Sequence, residues 1–128
     1  MRTETIEKVI DTYKEAARSK NADLMLEIYT DDIFIFDAWE KWSVQGLASM
    51  KSMVDEWFTE LGEESLDFEI DNLDITQGDK VGFATFDVNF IRLDVEGTPY
   101  KSVKNRFTIC LVKESSWKIK HQHSSVPV

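Results

Sequence analysis

A single cysteine, Cys110, in 128 residues leaves no partner for an intramolecular disulfide, so a reducing compartment, the cytoplasm, is expected. Cys110 lies in the apolar run Phe107-Thr108-Ile109-Cys110-Leu111-Val112 and reads as a buried small hydrophobe, because nothing beside it would activate a thiolate. Long hydrophobic runs are also missing. No stretch approaches the ~20 apolar residues of a membrane span, and the opening Met1-Arg2-Thr3-Glu4-Thr5 lacks the basic-then-apolar pattern of a secretory signal. Bases are in deficit, 15 Lys and Arg against 24 Asp and Glu, for a net charge of −9. That field repels phosphate backbones and anionic membranes, and no local basic cluster offsets it, so neither is an expected partner. There is no internal repeat, linker or low-complexity segment, which leaves one domain over 1–128, long enough to need neither disulfide nor metal.

What is present is a change of period. Ile6, Val9, Ile10, Tyr13 and Ala17 form one stripe of a helix of about four turns. That helix is expected to end at Lys20-Asn21, and a short second helix carries Leu24, Met25, Ile28 and Tyr29 until Asp31-Asp32 closes it. Ile33-Phe34-Ile35-Phe36-Asp37 then reads as a strand. A third helix spans about Leu47 to Leu61, with Gly62 as its stop. From Leu66 onward the period is two. The phase flips after Asn72, which predicts a bulge, and turns near Gly78, Gly97 and Ser115-Ser116 divide the rest into an antiparallel meander of four strands. The fold class is α+β: three helices packed on one face of a curved antiparallel sheet.

Two stretches carry a family likeness. Val9 to Tyr13 through Ile28-Tyr29-Thr30-Asp31-Asp32 to Asp37, then Gly46, is similar to the opening of ketosteroid isomerase. The ending Arg106-Phe107-Thr108, then Trp117-Lys118-Ile119-Lys120-His121-Gln122-His123-Ser124-Ser125, resembles the SnoaL-like proteins. Both belong to the cone-shaped nuclear transport factor 2-like superfamily, and the likeness covers roughly residues 6 to 125. It implies that Tyr13 stands where the isomerase has its oxyanion-donating tyrosine and Asp37 where it has its general base. Asn105 stands in place of the isomerase's protonated acid. Ketosteroid isomerase is itself the known case of carboxyl groups tuned in this way, and the logic is carried over from it. The superfamily hosts isomerases, cyclases, dehydratases and assembly domains alike, so the fold leaves the activity open.

The residues themselves support a pocket. Tyr13 sits inside an apolar stripe, where its hydroxyl must find a partner: a ligand, or a backbone carbonyl in an ordinary core. Asp37 shares parity with Ile33 and Ile35; pointing inward among aromatics, it would lose hydration and its pKa would rise. The bland reading is a strand-end aspartate bonded to loop amides. Asn105 alternates with Val103, Phe107 and Ile109 and so projects from an apolar face, with a ligand or Tyr13 as possible partners. Arg106, on the other face, is expected to pair with the Asp67, Glu69 and Asp71 row.

Strict alternation puts Trp117, Ile119, His121 and His123 on one face, so both histidines of the chain are expected to line the cavity or shuttle a proton. A structural pair holding the C-terminal tail is the alternative. Their spacing also admits a metal with Asp37 as third ligand, but no other metal motif supports this, and none is expected. Trp39, Trp42 and Trp57 suit a flat apolar ligand at the mouth, and Asp87 and Asn89 are secondary pocket candidates.

The sequence thus points to a small, largely apolar ligand, held without a cofactor. The chemistry expected is isomerase-, cyclase- or dehydratase-like, with Asp37 as base and Tyr13 and Asn105 as donors. The competing expectation is a non-catalytic ligand-binding or dimerisation module. A homodimer is expected through the outer sheet face, where Lys104, Arg106, Lys118 and Lys120 meet Asp67 and Glu69.

Overall fold

The chain begins with two capped helices. In the computed structural model, which describes residues 2–37 and 41–127, α1 spans Ile6–Ser19, and the Thr5 hydroxyl accepts from the Lys8 amide at 3.1 Å. Lys20, left-handed at φ 53°, closes α1, and Asn21 then caps α2, Ala22–Leu26, by accepting from Leu24 N at 3.1 Å. The third helix, α3, runs Leu47–Leu61 and stops at Gly62, whose φ of 60° suits glycine. The end of α1 at Lys20-Asn21 and both ends of α3 are the expected ones.

The strands are β1 (Tyr29–Phe36), β2 (Val44–Gln45), β3 (Ser65–Gln77), β4 (Val81–Leu93), β5 (Pro99–Lys113) and β6 (Trp117–Ser125). They form one sheet in the order β2-β1-β6-β5-β4-β3, antiparallel except where β1 runs parallel to β6. The α+β architecture therefore stands, with a two-residue strand, β2, that no period could announce. Ile6, Val9 and Ile10 of α1 and Met50, Val54 and Phe58 of α3 are buried in one core with Ile33, Ile35, Ile109 and Ile119 of the sheet. Both long helices thus lie on the same, inner face. At Gly82 a Cβ would come within 3.0 Å of both Ile6 Cδ1 and the Thr76 carbonyl, so α1 closes down where β4 has no side chain.

Two irregularities set which residues face inward. The expected bulge in β3 is present: the register with β4 shifts between Asp71 and Asp74, and Asn72 takes φ 55°. The second has no counterpart in the sequence pattern. On β6 Ile119 pairs with Leu111 and His121 with Cys110, so Lys120 is an extra residue against β5. Its neighbour β1 slips at the same level, between Tyr29 and Phe34. Lys120 Nζ there reaches Asp32 at 2.5 Å, and Asp32 also accepts from the Thr30 hydroxyl at 2.8 Å.

These features correct three sequence expectations. Tyr29 belongs to β1 and not to α2, because the Ile28 carbonyl already accepts from Ile119 N at 2.7 Å and draws the chain into the sheet. Asp31 and Asp32 are exposed strand residues rather than a helix end. Cys110 is only half-buried: it faces outward opposite His121, between the inward-facing Ile109 and Leu111.

Candidate functional site

A cavity of about 640 Å³ opens between α1, α3 and the inner face of the sheet. That is within the range of small-molecule sites. Its walls are mainly apolar, from Met25, Ile35, Met50, Val54, Phe90 and Phe107. Charged side chains, Lys41, Glu56, Glu60, Arg92 and Lys101, also border it. Arg92 is tied down by Glu60 at 2.9 Å and Glu64 at 2.5 Å, while Tyr100 donates to Glu64 at 2.6 Å. This cluster joins the end of α3 to the ends of β4 and β5 and holds one side of the cavity in place.

Five inward polar residues line the cavity: Tyr13, Tyr29, Asp37, Gln122 and Ser124. Tyr13 comes from the apolar stripe of α1 and its ring packs edge-on to Phe68 and Phe107, with centroids at 6.0 and 6.3 Å. Burial, and secondarily the Asp37 carboxylate, push its hydroxyl far above the ordinary phenol range. Tyr13 is therefore a neutral donor at any physiological pH. Burial also holds Tyr29 up, with a smaller contribution from Tyr13. The Tyr29 hydroxyl donates to Gln122 Oε1 at 3.3 Å. Asp37 follows the last residue of β1 on the side of Ile33 and Ile35, as its parity predicts, and accepts from the Ser124 hydroxyl at 3.4 Å.

The histidines are elsewhere. Past the extra residue Lys120 the side-chain phase of β6 reverses: Gln122 and Ser124 are buried, His121 is half-buried and His123 exposed. His121 and His123 lie outside with Phe34 and Phe36; His121 stacks on Phe34 at 5.7 Å, and Phe36 meets His123 edge-on at 5.5 Å. His121 Nδ1 is 2.6 Å from the Phe34 carbonyl, to which it donates. Neither histidine lines the cavity, and neither converges with Asp37, so the expected roles as pocket lining, proton shuttle or joint metal ligand do not match this geometry. Among the described residues no group of three His, Cys, Asp or Glu side chains is arranged to hold a metal ion.

The remaining candidates divide. Trp57 lines the cavity. Trp42 is 93% exposed and does not border the cavity. Trp39 lies outside the described residues. Asp87 and Asn89 face outward, since Phe86, Val88 and Phe90 take the inner positions of β4; Asp87 sits opposite Arg106 and accepts from Asn72 Nδ2 at 2.8 Å. Arg106 donates to Ser125 Oγ at 3.2 Å, while Asp67 is taken by Arg18 at 2.6 Å, so the expected Arg106 pairing with the Asp67 row is absent among the described residues.

Asn105 is on the apolar face as expected and is 1% exposed, with neither Oδ1 nor Nδ2 bonded to any described residue. Its neighbours Val103 and Phe107 border the cavity, but Asn105 itself does not, and it makes no bond to Tyr13. Sequence reasoning misses Tyr29, Gln122 and Ser124. Tyr29 continues the apolar stripe of α2 and so reads as helical, and the other two depend on a bulge that leaves no mark in the polarity pattern.

The comparisons agree with this architecture. The SnoaL-like domain family model matches residues 6–128. No curated protein matches the chain. An NTF2-like protein of unknown function from Pseudomonas putida KT2440 superposes with a TM-score of 0.84 at 20% identity, over 95% of this chain and 84% of the other. A protein from Thiobacillus denitrificans, provisionally named a calcium/calmodulin-dependent protein kinase type II association domain, gives 0.80 at 14% identity over 100% and 99%. One from Streptomyces avermitilis, provisionally named a dehydratase of the NTF2-like family, gives 0.81 at 10% identity over 96% and 94%. At these identities the superpositions speak for the fold alone. No helix among the described residues is long and apolar enough to cross a membrane. With the family match covering almost the whole sequence and the fold in agreement, the chain belongs to the SnoaL-like domain family, on the nuclear transport factor 2-like fold.

Proposed function

We propose that this chain is a cofactor-independent enzyme acting on a small, largely apolar carbonyl compound. The observation that carries the reading is one cavity of about 640 Å³ that sets Asp37 and a neutral Tyr13 against hydrocarbon walls. The Asp37 carboxylate takes a proton from the carbon next to the carbonyl. The C–H electron pair moves into the enolate, whose oxygen accepts from the Tyr13 hydroxyl. Return of the proton from Asp37 to a conjugated carbon completes an isomerisation; if the enolate instead expels a β-hydroxyl, the proton from Asp37 goes to that oxygen, which leaves as water and completes a dehydration. Asn105, the second donor expected from the sequence, sits between Val103 and Phe107 on β5 without bordering the cavity and is left out of this scheme.

The flat bicyclic ketone 2-tetralone, followed by NMR in deuterated buffer, tests the reading. Wild type is expected to accelerate exchange of its α-protons over buffer. Asp37→Asn should lose about 10²–10⁴-fold of that rate, and Tyr13→Phe a smaller factor of roughly 10–10³. Binding without exchange in wild type would overturn the enzyme in favour of a ligand-binding module.

A second observation supports an assembly role beside the first. The outer sheet face exposes Phe36 (37%), Phe83 (45%) and Val81 (63%) next to the histidine cluster. We propose that a second copy of this chain covers it. Asp87 beside Arg106, and Asn89 beside Lys104, give that face both donors and acceptors for a two-fold contact. The centre of the contact is aromatic rather than charged as the sequence suggested, because Lys120 is paired with Asp32, Lys118 with the Glu27 carbonyl, and Asp67 with Arg18. Light scattering at micromolar concentration should give twice the chain mass, and a monomer would overturn this part.

A further inference from the structure

We infer that Gln122 is the second hydrogen-bond donor to the ligand carbonyl, and that Tyr29 is the positioning residue that aims it. The inference rests on the cavity reading above and names a specificity element within it. Gln122 lies on the inner face of β6, in register with Ile35 and Ile109, and is 6% exposed. Its Oε1 is occupied by the Tyr29 hydroxyl at 3.3 Å. With the oxygen so held, the planar amide must turn its two N–H groups the other way. No described residue accepts from that nitrogen, yet it is not one of the sealed, unsatisfied atoms, which are those of Asn105 alone among the described residues. It therefore opens onto free space, and Gln122 borders the cavity.

Two further facts place this amide beside Tyr13. Tyr13, Phe107 and Gln122 all border both the main cavity and a separate void of about 20 Å³ among Ile10, Phe68 and Ile119. Tyr29, the partner of Gln122, also lies close enough to Tyr13 for Tyr13 to add to the upward push on its hydroxyl. Burial keeps the Tyr29 phenol protonated, so its hydroxyl has a proton to give to Gln122 Oε1. A carbonyl oxygen entering here meets an O–H and an N–H, both neutral, with Asp37 on the same cavity. A ketone or enol oxygen suits such a pole; a carboxylate, which would face Asp37, does not. Ser124 is excluded as this donor because its hydroxyl is bonded to Asp37.

The test compares 2-tetralone with tetralin, which has the same carbon skeleton without the oxygen. Affinities are read by tryptophan quenching and the bound carbonyl by its infrared stretch. Wild type is expected to prefer 2-tetralone at least tenfold and to lower the stretch relative to hexane. Gln122→Met should cut that preference at least fivefold and raise the stretch, with tetralin affinity held within twofold. Gln122→Glu, which keeps the shape but replaces the N–H donors by an acceptor, should do the same if the methionine variant does not fold. Tyr29→Phe should give a smaller loss of both. If the Gln122 variants keep preference and stretch while Tyr13→Phe loses them, the inference fails and the cavity reading stands. If wild type shows neither preference nor shift, both fall.

Discussion

Over the inner face of the sheet Tyr13 of α1 joins Tyr29, Asp37, Gln122 and Ser124 around one cavity, whereas on the outer face Phe34, Phe36, His121 and His123 make an aromatic cluster open to solvent. The outer group holds the residue type most associated with catalysis at neutral pH, and the inner group holds an amide, phenols, a hydroxyl and one carboxylate. What separates them is the extra residue Lys120. Without it His121 and His123 would look into the cavity and Gln122 and Ser124 would look out, because a strand has a period of two. The functional assignment of four side chains therefore hangs on one residue of register, and residue type alone is a poor guide to which face is the site.

Deleting Lys120 breaks the comparison most severely. Either the phase of Gln122 to Ser124 reverses, burying two imidazoles and stripping Tyr29 of its acceptor, or the end of β6 detaches. Either route should cost at least about 4 kcal/mol, the scale of burying unpaired polar groups, as measured by urea unfolding. Near-wild-type stability would mean that the bulge does not set the faces.

Alkaline pH separates the faces by titration. Tyr13 and Tyr29 stay protonated in the folded chain where an unfolded phenol ionises, near pH 10. Above that pH the folded state holds more protons than the unfolded one, so stability falls as pH rises. The stability these phenols contribute is fully present below pH 10, and each phenol should take away about 1.4 kcal/mol per pH unit above it. Tyr29→Phe should flatten the slope of unfolding free energy between about pH 10 and 11; an unchanged slope would show that Tyr29 is not sealed.

Asn105 sharpens the inner side. Two buried, unbonded amide atoms are a standing cost of about 1–3 kcal/mol. Asn105→Val, an apolar β-former only modestly larger, is expected to raise the unfolding free energy by roughly 1–2 kcal/mol without lowering the 2-tetralone exchange rate. A destabilised variant would reveal a partner for the amide. The smallest effect belongs outside: His121→Ala together with His123→Ala should leave ligand affinity within twofold, checked by the same quenching titration, and a tenfold loss would reconnect the histidines to the site.

Much of this is legible in the residues. The end of α1 at Lys20-Asn21, the stop at Gly62 and the bulge at Asn72 each carry local chemistry or a break of period. Asp37 and Asn105 can be assigned a face because Ile33, Ile35, Val103 and Phe107 alternate around them without interruption. The bulge at Lys120 carries no such signal. A lysine there is exposed in either phase, no glycine marks the spot, and Trp117, Ile119, His121 and His123 alternate in polarity as if the strand were regular. Its cause is tertiary: β1 slips at the same level, over the exposed Asp31 and Asp32. Tyr29 escapes a local reading for a related reason, since the pairing of Ile28 with Ile119 that pulls it into the sheet joins residues 91 positions apart (119 − 28).

The most direct measurement is which face a bound ketone touches, read from intermolecular NOEs between 2-tetralone and methyl-labelled protein. Contacts are expected to Ile35, Met50, Met53 and Val54, which border the cavity, and none to Val81 or Val112 on the outer face of β4 and β5. Contacts confined to Val81 and Val112, or to no methyl at all, would contradict a ligand site on the inner face.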